Sequence, residues 1–210
     1  MKSEDPIVFV VDDDDRVREA LCSLIQSAGL RVAAFDSGSA FLAFEKPDAP
    51  ACLVLDLNLP GINGLDLQQE LLGGNAPPIV FISAHGDVPS TVRAMKAGAI
   101  DFLSKPFPVP ALLRAIEAGI ASDKAAIRQR AELGELQRNY ALLTPREREV
   151  FRFVAAGFAN KETAADLGIS EVTIGVHRSQ VMRKMKARSL AELVRMADRL
   201  GIILATGPSK

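Results

Sequence analysis

Short apolar runs recur through the first half of the chain, with helical patterns between them. Ile7 to Val11 (IVFVV), Arg31 to Phe35, Cys52 to Leu55 (CLVL), Ile79 to Ile82 (IVFI) and Asp101 to Leu103 are rich in β-branched and apolar residues and predict strands. Between the first two, Val17, Leu21, Leu24, Ile25 and Ala28 recur at helical spacing before Gly29. Strands alternating with helices in this way predict βαβ units and an α/β fold, a flavodoxin-like, doubly wound five-stranded parallel sheet, whose order, if the runs pair as in flavodoxin, would be 2-1-3-4-5. IVFVV and IVFI suit the buried centre of such a sheet, whereas RVAAF suits a place nearer its edge.

After Leu112, Leu113, Ile116 and Ile120 the apolar face fades, and Ser122 to Asn139 is dominated by Ala, Arg, Glu, Gln and Lys. This predicts an exposed linker helix. Leu133, Leu136, Tyr140 and Leu143 recur at i, i+3, i+7 and i+10 and offer a short coiled-coil seam. Beyond it, Thr144-Pro145-Arg146-Glu147 reads as a capping box with proline at the first helical position, closed at Gly157. Asn160 is expected to cap a second helix ending at Gly168, Ser170 a third from Glu171 to about Lys186, and Ser189 a fourth closed by Gly201. A short helix, the turn Gly168-Ile169-Ser170 and a longer helix form a helix-turn-helix. The expected division is therefore 1–122, a linker helix over 123–142, and a small all-α domain of four helices over 143–210.

Charge sharpens that division. Residues 1–122 carry 9 Lys and Arg against 16 Asp and Glu, whereas residues 143–210 carry 12 against 7, so a net charge of −1 conceals an acidic half and a basic half. The first can attract a cation and the second a phosphate backbone. No run approaches a membrane span and the first residues lack the pattern of a secretory signal, which predicts a cytoplasmic protein without a membrane partner. Cys22 and Cys52 lie in apolar contexts and are expected to be buried thiols without chemistry.

The chemistry sits where the strands end. Asp12-Asp13, Asp56, Ser83 and Lys105 each follow an apolar run, and strands one and three of the expected order are neighbours at the topological switch point. Asp12, Asp13 and Asp56 would then share a pocket. An all-oxygen carboxylate cluster suits Mg²⁺, and one carboxylate would be the nucleophile of a phosphoryl transfer. Lys105 would complete the counter-charge, and Ser83 would donate a hydrogen bond to the transferred group.

The motifs VVDDD (10–14), VLDLNLPGINGLDL (54–67), ISAHGDVPSTVRAMKAGAIDFLSKPF (82–107) and LTPREREVFRFVAAGFANKETAADLGISEVTIGVHRSQVMRKM (143–185) together cover most of the chain. It resembles a two-component response regulator of the FixJ/NarL subfamily, a receiver domain joined to a LuxR-type helix-turn-helix. The resemblance implies that Asp56 is the phosphoacceptor, that Asp12, Asp13 and the backbone carbonyl of Asn58 join it in holding the metal, and that Ser83 is the switch hydroxyl. Lys105 is then the phosphate-pairing lysine, Lys105-Pro106 a cis peptide, and Phe102 the switch aromatic. Asn58 and His85 fall at positions that influence phosphoryl lifetime in the family. The implied partners are a histidine kinase, double-stranded promoter DNA, a second copy of the chain on phosphorylation or on DNA, and RNA polymerase. A Mg²⁺-dependent aspartyl-nucleophile phosphohydrolase, or an output domain for RNA or protein, are the alternatives. The first lacks an acidic residue two positions beyond Asp56, where Asn58 stands.

At 100° per residue, Ile174, Val181 and Met185 form the buried stripe of the third C-terminal helix. Val172, Val176, Ser179, Gln180 and Arg183 then face outward, with Thr173, Gly175 and Lys186 at the margins, as a surface able to read base edges and thymine methyl groups. Lys161, His177, Arg178 and Lys184 are expected to position phosphates. Gly175 stands where relatives often carry a cation. In the fourth helix Leu190, Leu193, Val194 and Ala197 form a closing stripe, from which Leu190, with Arg195, is placed at a dimer contact by the same resemblance.

Overall fold

The computed structural model describes residues 5–84 and 87–202. The chain folds as two compact units that divide between Ile127 and Arg128. The first contains β1 (Ile7–Val11), α1 (Asp15–Ser27), β2 (Arg31–Phe35), α2 (Gly38–Ala43), β3 (Ala51–Asp56), α3 (Gly64–Leu71), β4 (Ile79–Ser83), α4 (Val88–Lys96) and β5 (Asp101–Ser104). All five strands are parallel, in the order β2-β1-β3-β4-β5.

Burial along the strands follows their place in the sheet. Every residue of β1, β3 and β4 is buried, while the edge strand β2 is partly exposed throughout. Phe9, Leu53, Leu55 and Phe81 project to one face and pack with Phe41 of α2 and Leu67 of α3; Val8, Val10, Val54 and Ile82 project to the other, with Leu21 and Ile25 of α1. Leu112 and Ile116, early in the long helix α5 (Val109–Ala141), join that second layer. Helices thus cover both faces and leave the strand ends open for chemistry. Cys52 is buried and its thiol is pushed up to about 12 by desolvation, so it is inert, as expected; Cys22 is half-buried.

The second unit contains α6 (Pro145–Ala155), α7 (Asn160–Leu167), α8 (Glu171–Met185) and α9 (Leu190–Arg199), with the later turns of α5. Val150, Phe151, Val154, Ile174, Val181, Met185 and Leu193 form its core. The capping box at Thr144 and Glu147 is present, and Gly157, Gly168 and Gly201 all have positive φ where their helices stop. One expected cap differs. Ala159, not Asn160, precedes α7, and the Glu162 carboxylate accepts from the Ala159 N–H at 2.8 Å, so Asn160 is released for another partner.

The proposed seam also differs from expectation. Leu136 and Leu143 are buried in the second unit's own core, where Tyr140 meets the Phe151 ring edge-on at 5.5 Å. These side chains therefore cannot also serve as a free coiled-coil stripe. At the other end of the segment read as a linker, Asp123 is buried in the first unit and its Oδ2 accepts from the Ala51 N–H at 2.8 Å. The segment expected as a linker, 123–142, is helical as far as Ala141 in α5; Asp123 is buried in the first unit and Leu136 in the core of the second.

Candidate functional site

The parallel register carries Asp12, Asp56, Ser83 and Lys105 to one edge of the first unit, at the carboxyl ends of β1, β3, β4 and β5. Asp12, Ser83 and Asp56 are buried, Asp13 is exposed, and one ligand atom from each of Asp12, Asp13 and Asp56 lies within 4.8 Å of the others. At that separation like charges repel by about 3 kcal/mol at an effective dielectric of about 20. The Lys105 Nζ offsets part of this, donating to Asp12 Oδ2 at 2.8 Å and to Asp56 Oδ2 at 3.3 Å.

Burial raises the Asp12 carboxyl above the ordinary carboxylate value, and the charge of Asp56 adds to that rise against the opposing pull of Lys105. Burial also works against the Lys105 ammonium, but its two carboxylate partners prevail and hold it above the usual lysine range. Three carboxylates against one lysine leave an excess of negative charge on hard oxygen donors, so the cluster can hold a divalent metal.

The surrounding loops fix these groups. The Asp14 N–H donates to Asp12 Oδ1 at 3.0 Å, while Asp14 caps α1 by accepting from Arg16 and Val17. Asn58 donates from its backbone N–H to Asp56 Oδ1 and from Nδ2 to Ser83 Oγ, both at 3.4 Å, so it spans the Asp56 carboxylate and the Ser83 hydroxyl. The Lys105 N–H donates to the Ser83 carbonyl at 2.7 Å, and the peptide to Pro106 is cis. Phe102 is half-buried and stacks on Phe81 with ring centroids 6.1 Å apart. His85 lies outside the described residues.

Two contributors escaped the sequence reading. Arg18 donates from its guanidinium to the Asp12 carbonyl at 2.7 Å and pairs with Asp15, one turn earlier on α1. Its i+3 spacing from Asp15 was the available signal. Gly64 opens α3 where a Cβ would lie 2.5 Å from the Asp56 carbonyl oxygen and 3.0 Å from the Leu57 Cα. Only glycine lets this helix start so close behind β3.

In the second unit the expected face of α8 is presented as the helical projection required. Ile174, Val181 and Met185 are fully buried, while Val172 is 79% and Val176 57% exposed. Thr173, Ser179, Arg183 and Lys161 are exposed beside them, and His177 is half-buried. Ser179 Oγ donates to the Gly175 carbonyl at 3.0 Å and Arg183 donates to Gln180 Oε1 at 2.6 Å. Arg178 is half-buried and donates to Asn160 Oδ1 at 3.2 Å, which orients it beside the start of α7.

Lys184 departs from the expected phosphate contact. Its Nζ donates to the buried Glu147 Oε2 at 2.6 Å and to the Leu142 carbonyl at 3.2 Å. A buried carboxylate and a backbone acceptor hold the ammonium inside the unit. Lys186, at the end of α8, is similarly drawn to Glu135 of α5 at 2.7 Å.

The chain matches the response regulator receiver domain over residues 8–117 and the luxR family of bacterial regulatory proteins over residues 141–197. It is similar to nodulation protein W of Bradyrhizobium diazoefficiens, with 48% identity over 197 residues, covering 93% of this chain and 87% of that protein. The response regulator TodT of Pseudomonas putida is 46% identical over 204 residues, 95% of this chain and 88% of its own. The transcriptional regulatory protein FixJ of Azorhizobium caulinodans is 45% identical over 196 residues, 93% of each. Among solved structures, the response regulator StyR superposes with a TM-score of 0.82 at 48% identity, covering 93% of this chain and 99% of that one.

Proposed function

Because the chain belongs to the response regulators that join a receiver domain to a LuxR-family output domain, we infer that its switch is phosphorylation of Asp56 by a partner histidine kinase. Sequence-specific binding of promoter DNA through α8 is the response. The observation that carries this reading is the convergence of Asp12, Asp13, Asp56 and Lys105, whose charges and distances suit a phosphoryl group beside a metal.

In the proposed step an Asp56 Oδ attacks the phosphorus of the kinase's phosphohistidine. The new P–O bond replaces the P–N bond, and the imidazole leaves neutral, keeping the proton already carried on its other ring nitrogen. Asp12, Asp13, Asp56 and the Asn58 carbonyl are the ligands this reading assigns to Mg²⁺, which when bound would neutralise the charge on the transferring phosphoryl oxygens. Lys105 moves its ammonium from the carboxylates to the phosphoryl oxygens. Ser83 exchanges Asn58 Nδ2 for a phosphoryl oxygen, and Phe102, packed on Phe81, repacks as the β4 end shifts.

On the DNA side, Val176, Ser179 and Arg183, with Thr173 at the margin, meet base edges. Lys161, His177 and Arg178 meet phosphates, while Lys184 and Glu147 hold α8 against α6. The same reading makes the protein a cytoplasmic regulator rather than an enzyme, acting on promoter DNA as a dimer and toward RNA polymerase. No helix among the described residues is long and apolar enough to cross a membrane.

Incubating the full chain with acetyl phosphate and Mg²⁺ tests the site by intact mass. One added phosphoryl group is expected, mapped by peptide mass to Asp56, absent in Asp56→Asn and suppressed by EDTA. Equal incorporation in Asp56→Asn would reject the assignment.

A further inference from the structure

The cations of α8 and of its C-terminal cap are held in two different ways. Lys184 and Lys186 donate to the carboxylates of Glu147 and Glu135, at 2.6 and 2.7 Å, so their charges are already matched within the unit. Arg178 and Arg183 donate instead to amide oxygens, Asn160 Oδ1 at 3.2 Å and Gln180 Oε1 at 2.6 Å. A neutral oxygen orients a guanidinium without cancelling its charge.

Gln180 lies on the same helix as its arginine, but Asn160 reaches Arg178 from α7. Local structure releases it from the usual task of an asparagine at a helix start, because Ala159 is the cap residue and Glu162 accepts the Ala159 N–H. The half-buried Asn160 side chain crosses to α8, with Oδ1 on Arg178 and Nδ2 3.9 Å from where a Gly175 Cβ would stand. Its bond to Arg178 uses only one of the guanidinium N–H groups and leaves the others for a further acceptor. The next residue, Lys161, is exposed.

We propose that Asn160 is a positioning residue for DNA binding, whose Oδ1 pre-orients Arg178 for a backbone phosphate while leaving the full guanidinium charge to that contact. The inference rests on the reading of Arg178 as a phosphate contact. An unrestrained arginine loses rotamer freedom when DNA fixes it, whereas one already held has less to lose, a difference worth about fivefold in affinity. A carboxylate at the same place would hold the arginine but cancel its charge, as Glu147 does for Lys184. Asparagine is therefore chemically specific here: alanine loses the orientation and aspartate loses the charge.

Fluorescence anisotropy of a mixed-sequence duplex of about 30 base pairs, titrated at fixed low salt with the full chain in acetyl phosphate and Mg²⁺, reads phosphate contacts independently of base sequence. Arg178→Ala should weaken binding about tenfold, the scale of one phosphate contact. Asn160→Ala should weaken it about fivefold in the wild type and add no further loss to Arg178→Ala. Asn160→Asp should bind about as poorly as Arg178→Ala, yet its output unit should resist chemical denaturation at least as well as wild type, since an acidic residue suits the first turn of α7. A purely structural role would make affinity follow stability. Should Asn160→Ala fail to fold, Asn160→Ser supplies the same comparison. Wild-type affinity in Asn160→Asp, or a loss in Asn160→Ala that is as large without Arg178 as with it, would overturn the proposal. Wild-type affinity in Arg178→Ala would instead overturn the phosphate reading of Arg178, and the proposal with it.

Discussion

In the receiver, Asp12, Asp56 and Ser83 arrive from three different strands and are almost sealed from solvent, whereas in the output unit Val172, Val176, Ser179 and Arg183 come from one helix and face outward. The first arrangement depends on strand register, since a slip of one residue turns each side chain to the other face of the sheet. The second depends only on a helix keeping its buried stripe. Damage to the pocket should therefore act through chemistry, while damage to the reading face acts through affinity unless the helix loses its support.

The largest expected effect tests that support. Glu147→Gln leaves Lys184 facing a neutral, buried amide and should destabilise the output unit by about 3 kcal/mol, measured by chemical denaturation, with no change in the receiver's transition. Burial opposes ionisation of Glu147, but Lys184 and the Thr144 N–H outweigh it and hold the carboxyl below its ordinary value of 4.5. Its contribution is therefore complete above that value and disappears as pH falls through the lower folded-state value. In wild type the output unit should lose stability in that acid window, and Glu147→Gln should remove this part of the pH dependence.

A smaller loss is expected in the pocket. Lys105→Met should slow phosphoryl uptake from acetyl phosphate by about a hundredfold while the fold persists, as for removal of a charge-stabilising donor. Arg18→Met tests a group one step further out, behind the Asp12 carbonyl. It should weaken Mg²⁺ binding by about tenfold in calorimetric titration, the usual scale for a residue that orients a ligand.

Gly175 gives the smallest effect and bears on the reading face. A Cβ there would have one neighbour within 4 Å, Asn160 Nδ2 at 3.9 Å, so the position has room for a side chain. Gly175→Ala should stabilise α8 by about 1 kcal/mol. Gly175→Lys should tighten duplex DNA binding and steepen its logarithmic salt dependence by about one unit. An unchanged slope would place the residue away from the phosphates.

The contrast also marks what the residues disclosed. Continuous runs such as IVFVV and the ends at Asp12, Asp56 and Ser83 made the parallel sheet and the acidic pocket at its edge legible, because parallel connections leave few topologies. Ile174, Val181 and Met185 likewise revealed which side of α8 faces out. Less legible was the destination of cations. Lys184 is one basic residue among several on α8, and only the fold brings Glu147 against it. Leu136 and Tyr140 had the periodicity of a seam, but periodicity does not say whether a partner helix or the chain's own core covers a stripe.

The central claim, that the buried pocket governs the exposed helix, is tested most directly by genome-wide occupancy of the wild-type protein and Asp56→Ala with the kinase pathway stimulated and unstimulated. Wild type should gain sites on stimulation and Asp56→Ala should not. The same gain of sites in both proteins would contradict phosphorylation of Asp56 as the switch.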